Sequence, residues 1–162
     1  MIISAIGQDS HRFEEENKPL ILGGVLLKNE KGLKGNSDAD VILHAVTNAV
    51  SGVTGRNILG AVADEMCRKG LTDSRAYLEE ALKDLAAMGG KICHVSLSME
   101  TKRPYMAPHI PLIRESLADI LGIRPEQVGF TATSGEGLTA FGRGEGIQVF
   151  CLLTVSLPGE ES

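Results

Sequence analysis

The chain has 162 residues, 43% of them apolar, and a formal net charge of −5. That length supports one domain with a real core and is short for two, and the apolar content excludes a disordered chain. The acidic balance argues against a nucleic-acid binder held by phosphate neutralisation, though not against a local basic pocket for a small phosphorylated ligand.

In chain order, Ile2 to Gln8 reads as a first strand, followed by a polar loop over Glu14 to Pro19. Leu20 to Leu27 is a second apolar run, in which Gly23-Gly24 predicts a bulge or a close backbone approach. Asn29 to Asn36 reads as a loop. Ser37 then reads as a helix N-cap, with Asp38 and Asp40 in the first turn. Val41, Ile42, Ala45, Val46, Ala49, Val50 and Val53 recur at helical spacing as one apolar stripe. His44 falls on the opposite face with Asp40, Thr47, Asn48 and Ser51, either a solvated face or one that closes over a site.

Gly52 to Thr72 reads as irregular. Thr72 or Asp73 caps a second helix that Gly89-Gly90 stops. Ile92 to Glu100 alternates as a strand, with Val95, Leu97 and Met99 on one face and a structural His94 on the other. Ile110 to Leu121 is a third helix ended by Gly122, and His109 before it reads as a capping or core residue. Val128 to Thr133 is a strand, Ser134 to Gly146 a glycine-rich loop, and Ile147 to Val155 a strand apolar on both faces. Such a strand is central or lies at a subunit interface. The order predicts an α+β fold: one domain over residues 1–157, a mixed sheet with three helices packed on one face, and a frayed tail over 158–162.

Cys67, Cys93 and Cys151 are scattered and form no CxxC, so neither a zinc ribbon nor a disulfide framework is predicted, and a cytoplasmic, reducing setting fits. No apolar run approaches about 18 residues, so no membrane span is expected, and no secretory signal is read.

The chemistry gathers around Asp9 and His11. On an extended segment they point the same way, two residues apart. With His44 they make a two-histidine, one-carboxylate set, which on tetrahedral Zn2+ leaves one position for a substrate oxygen. The loop Thr133-Ser134-Gly135-Glu136-Gly137 offers hydroxyls, backbone N–H groups and a carboxylate, suited to phosphate and a hard Mg2+ or Mn2+ ion. Gly142-Arg143-Gly144-Glu145-Gly146 leads into a strand, so a Rossmann reading fails. Arg143 there serves an anion or an ion pair with Glu145.

Asp-Xaa-His at 9–11, Ser-Asp-Xaa-Asp-Val-Xaa-Leu-His at 37–44, Pro-His-Ile-Pro at 108–111 and Gly-Arg-Gly-Glu-Gly at 142–146 stand in one order along the chain. In this the sequence resembles the 2-C-methyl-D-erythritol 2,4-cyclodiphosphate synthase family over essentially its whole length. The resemblance implies a homotrimer with active sites between adjacent subunits. It also implies Zn2+, or another divalent ion, on Asp9, His11 and His44, and a second ion, Mg2+ or Mn2+, on the substrate diphosphate near Glu136. The implied substrate is the nucleotide diphosphate 4-diphosphocytidyl-2-C-methyl-D-erythritol 2-phosphate. Its 2-phosphate attacks the β-phosphorus, releasing CMP and closing a cyclic diphosphate. The implied binding surface joins Asp9, Ser10, His11, Asn36 and Ser37 to Thr133, Ser134, Gly135, Glu136 and Arg143. Thr101, Lys102, Arg103, Pro104, Tyr105, Met106 and Ala107 surround the cytidine. Ser134, Asn36 and Glu136 are the catalytic candidates.

Several positions depart from the family pattern. Asn36 stands where histidine is usual, Asn48 where aspartate is common, Tyr105 where lysine is usual and Ala140 where phenylalanine is common. Thr133-Ser134-Gly135 replaces three threonines. A non-catalytic trimeric relative that binds metal or diphosphate is the alternative reading. Arg143 is expected to bind anions near the trimer axis, with an isoprenoid diphosphate as occupant, rather than to serve the chemical step.

Overall fold

The computed structural model describes residues 1–159. Among these, alternation builds a four-stranded sheet in the order β1-β6-β4-β5. β1 (Ile2–Arg12) runs past the expected end at Gln8. It pairs antiparallel with β6 (Gly146–Ser156) from Ile2 opposite Ser156 to Arg12 opposite Gly146. β4 (Lys91–Glu100) pairs antiparallel with the other side of β6 and parallel with β5 (Val128–Thr133). A parallel pair needs a crossover, and the helix over Ile110–Leu121 supplies it. The sheet is therefore mixed and the class α+β, as expected.

Leu20 to Leu27 is not one bulged strand but a hairpin, β2 (Leu20–Leu22) with β3 (Val25–Leu27). Gly23 and Gly24 form its turn at φ of 61° and 80°, a conformation glycine adopts without strain.

There are four α-helices among the described residues, where three were expected. α1 (Val41–Thr54), α3 (Ser74–Ala87) and α4 (Ile110–Leu121) match the stripes read from the sequence. α2 (Ala61–Arg68) lies inside the stretch read as irregular. It has only eight residues and buries only Ala63, too little for an apolar period to show. The helices also form two tiers. α1 packs on β1 and β6, α4 packs on β5, and α3 packs on α1.

α1 starts at Val41 and is capped by Asp40, not by Ser37. The Asp40 carboxylate accepts from the Leu43 amide at 3.1 Å and from the Gly23 and Gly24 amides at 2.9 and 2.7 Å. One side chain thus caps α1 and clamps the hairpin turn to it. Burial pushes this carboxyl up to about 6, although the three N–H donors pull the other way. Asp73 caps α3, as expected.

The core lies between the sheet and α1. Val95, Leu97 and Met99 of β4 and Ile147, Val149, Cys151, Leu153 and Val155 of β6 meet Val41, Ile42, Ala45, Val46, Ala49 and Val50. β6 is central, as its two-sided apolar pattern implied. Its second face is uncovered in the single chain: Phe150 and Leu152 are 38% and 49% exposed, beside Ile6 at 66%. Of the tail expected to fray, residues 160–162 lie outside the described residues.

Candidate metal centre

β1 and α1 bring the three expected ligands together. Asp9 and His11 share the α1-facing side of β1, and His44 lies at the fourth position of α1. His11 Nε2 is 2.7 Å from Asp9 Oδ2, His44 Nδ1 is 3.1 Å from the same oxygen, and the two ring nitrogens are 3.3 Å apart. A tetrahedral ion with donors at about 2.0–2.1 Å places them about 3.3 Å from one another. The donor set and its spacing fit a zinc-type ion with a fourth position open.

The face of α1 that carries His44 is not solvated. His44 is 8% exposed, and Thr47 and Ser51 beside it are buried, because α3 covers them. Burial raises the Asp9 carboxyl, but hydrogen bonds with His11 and His44 outweigh it and hold the group below its ordinary value. Burial lowers the His11 imidazole, and the contact with Asp9 outweighs that and raises it. Asp9 is therefore held as an anion facing positive charge, whether from an imidazolium or from a cation.

Both ligand rings are oriented from behind. His11 Nδ1 faces the Lys34 carbonyl at 2.9 Å, and His44 Nε2 faces Ser74 Oγ at 2.8 Å. The Ser74 hydroxyl donates in turn to Asp38. Sequence reasoning missed Lys34 and Ser74 and gave Asp38 only a helix-start role. Ser74 lies 30 residues from His44, and no local pattern marks the pair.

Asn36 and Ser37 follow Gly35, whose α-carbon faces the His11 ring. The Lys18 ammonium donates to the Gly35 and Ser37 carbonyls at 3.2 and 2.9 Å, holding this strap beside the triad. Ser10 alternates to the exposed side of β1, so only its backbone adjoins the triad.

Most of the other candidates lie at the β4–β5 margin of the sheet. Thr101, Lys102, Pro104, Tyr105, Met106, Ala107, Thr133 and Ser134 line a cavity of about 330 Å³. Pro104 and Met106 are buried in its wall, while Tyr105 stands exposed. Gly135 and Glu136 continue the loop with φ of 73° and 51°, and the Glu136 amide donates to Ser134 Oγ at 3.4 Å. The loop rests on Glu100, which accepts from Thr139 Oγ1 at 2.6 Å. Its carboxylate lies so close under Gly135 that a methyl group there would stand 2.1 Å from Oε1.

Arg103 and Arg143 face a different hollow of about 390 Å³, with Lys31 and Phe13. Arg143 pairs with Glu145 at 3.3 Å, the ion pair named among its two readings, and nothing in this geometry supports an isoprenoid diphosphate there. A further hollow, about 830 Å³ between Glu15–Pro19 and Leu26–Lys31, is lined by none of the three metal-site residues.

In one chain the triad and the cavity are separated. The triad's strand, β1, and the cavity's strand, β5, are the two outer strands of the sheet. Three inter-strand steps put them about 14 Å apart.

The YgbB family model matches residues 2–156. The 2-C-methyl-D-erythritol 2,4-cyclodiphosphate synthase of Chlamydia trachomatis is 48% identical over 153 residues, covering 93% of this chain and 85% of that one. The enzyme of that name from Chlamydia caviae is 51% identical over 154 residues, with 93% and 87% covered. A solved 2C-methyl-D-erythritol-2,4-cyclodiphosphate synthase in a CDP-bound form superposes with a TM-score of 0.82 at 27% identity, covering 95% of this chain and all of that one. With the triad assembled in this fold and these relatives spanning nearly its whole length, the chain belongs to the YgbB family, alongside the 2-C-methyl-D-erythritol 2,4-cyclodiphosphate synthases.

Proposed function

We infer that this protein closes 4-diphosphocytidyl-2-C-methyl-D-erythritol 2-phosphate into 2-C-methyl-D-erythritol 2,4-cyclodiphosphate with release of CMP. A 2-phosphate oxygen forms a bond to the β-phosphorus. The bond from that phosphorus to the bridging oxygen breaks, and CMP leaves with the oxygen and its electron pair. The observation that carries this reading is the convergence of Asp9, His11 and His44 within 3.3 Å of one another, in a chain of this family.

The nucleophile is already an anion, so the chain needs no strong general base. Its task is to fold the substrate and neutralise charge. A divalent ion on the triad, Zn2+ foremost, supplies Lewis-acid neutralisation of a phosphate oxygen when bound. Asn36 and Ser37 donate to phosphate beside the triad; Asn36 can donate a hydrogen bond but carries no charge. Thr101 to Ala107 hold the cytidine, with Lys102 adding positive charge. Thr133 and Ser134 hold the diphosphate, and Glu136 seats a second ion, Mg2+ or Mn2+.

A homotrimer with each site between neighbouring subunits fits the separation of triad and cavity, which one substrate must span. The uncovered Ile6, Phe150 and Leu152 supply an apolar face for such an assembly. No helix among the described residues is long and apolar enough to cross a membrane, in keeping with a proposed cytoplasmic enzyme built on residues 1–157.

The test is to incubate the purified protein with the substrate and follow CMP release. Zinc analysis of wild type and His44→Ala runs alongside. Release of CMP with metal present, and zinc lost in the variant, is the expected result. Retained zinc without CMP release would favour the non-catalytic relative, and equal zinc in both proteins would remove His44 from the ligand set.

A further inference from the structure

We propose that Ser74 and Asp38 act as a positioning pair that fixes the tautomer of His44 and so selects its Nδ1 as the metal-facing atom. This rests on the reading that Asp9, His11 and His44 hold a divalent ion.

The argument is one of donors and acceptors. A neutral imidazole carries one N–H and one lone pair, and only the lone pair can bind a metal. The two histidines of this site expose opposite atoms, Nε2 from His11 and Nδ1 from His44. Each ring must therefore be locked in a different tautomer. For His11 the lock is the Lys34 carbonyl, which only accepts, so Nδ1 carries the proton.

For His44 the partner is a hydroxyl, which can donate or accept. A serine alone would leave the tautomer undecided. Asp38 decides it. Its carboxylate accepts the Ser74 hydroxyl proton, leaving only lone pairs of Ser74 Oγ to face the ring. His44 Nε2 must then donate, so that when an ion takes the place of the contact with Asp9, the Nδ1 lone pair is the one that binds it.

The pair is held firmly. Ser74 is fully buried. Asp38 also accepts from the Ser74 amide at 3.1 Å and the Asp40 amide at 3.0 Å, and its own amide donates to the Thr72 carbonyl at 2.9 Å. The relay crosses from the strap before α1 to the first residue of α3, so it also joins the two helices behind the metal seat. Ser74 is not the cap of α3, a role Asp73 fills, so its removal leaves the helix start intact.

The test uses wild type and Ser74→Ala. Long-range proton–nitrogen NMR on the zinc-loaded proteins reads which nitrogen of each ring carries the proton and how fast that proton exchanges with water. Competition with a chromophoric chelator reads zinc affinity. Wild type is expected to show His44 protonated on Nε2 and His11 on Nδ1. In Ser74→Ala the His44 Nε2 proton exchanges with water faster, His11 is unchanged, and the zinc Kd increases about 10- to 100-fold. An unchanged His44 Nε2 proton, or zinc Kd values within about twofold, overturns the proposal. Wild-type protein that takes up no zinc overturns the metal reading itself, and this inference with it.

Discussion

Gly7 lies flush against Ala49: a methyl group on Gly7 would stand 2.3 Å from the Ala49 amide nitrogen and 2.2 Å from the Ala45 carbonyl oxygen. Only glycine lets β1 approach α1 this closely. Because β1 carries Asp9 and His11 and α1 carries His44, that separation also sets the span between the candidate ligands. Gly7→Ala is expected to cost about 3 kcal/mol, as an overpacked contact against backbone that cannot rotate away. It should also weaken zinc binding without touching a ligand. Urea denaturation of the metal-free protein and a zinc titration check both, and an unchanged midpoint would contradict the close approach.

Asp40 satisfies three backbone amides at once. Asp40→Ala leaves those of Leu43, Gly23 and Gly24 without their acceptor and is expected to lower stability by about 3 kcal/mol. Asp40→Asn keeps one acceptor oxygen and should fall between. Equilibrium unfolding measures both; a loss under about 1 kcal/mol for the alanine variant speaks against the clamp.

The long periodic elements are legible in the sequence, because a buried face repeats. α1, α3, α4, β4 and β6 each show their stripe or alternation. What was not legible depends on partners distant in the chain. The Gly23-Gly24 turn reads locally as a bulge, and only pairing of Leu20 with Leu27 makes it a hairpin. Ser37 looked the better cap because the acceptance of Gly23 and Gly24 amides by Asp40 is invisible in one dimension. The triad was legible for a different reason. Asp9 and His11 are two apart on a strand, and His44 is a polar residue off its helix's apolar stripe. Ser74 and the Lys34 carbonyl had no such signature.

Cys151 is fully buried in β6, and burial pushes its thiol up to about 12. Cys67 and Cys93 are half-buried. A thiol reagent at neutral to mildly alkaline pH should therefore label Cys67 and Cys93 in the native protein and reach Cys151 only on unfolding. Stability follows with a definite sign. Above the ordinary value of 9.0 the unfolded chain loses this proton first, so folding stability falls as pH rises from there toward 12. The slope is at most about 1.4 kcal/mol per pH unit. Below 9.0 the group has no effect. Cys151→Ala should remove that part of the alkaline slope, read by unfolding at a series of pH values. Rapid native labelling of all three thiols would count against the burial.

The triad on β1 and the cavity beside β5 sit at opposite margins of one sheet. In the proposed trimer the two margins of a chain serve two different neighbours, and damage there is expected to be complementable. His44→Ala spoils one margin, and Ala132→Trp spoils the other, because Ala132 of β5 also lines the cavity. Each variant alone should release no CMP. Refolded together in equal amounts, they should form mixed trimers in which roughly one contact in four pairs an intact triad with an intact cavity. Activity near a quarter of wild type should return from two inactive proteins. No recovery in demonstrably mixed trimers would mean that each chain works within itself. In such a trimer a lesion at either margin is expected to be rescued by a lesion at the other, while a chain carrying both silences the contacts on its two sides.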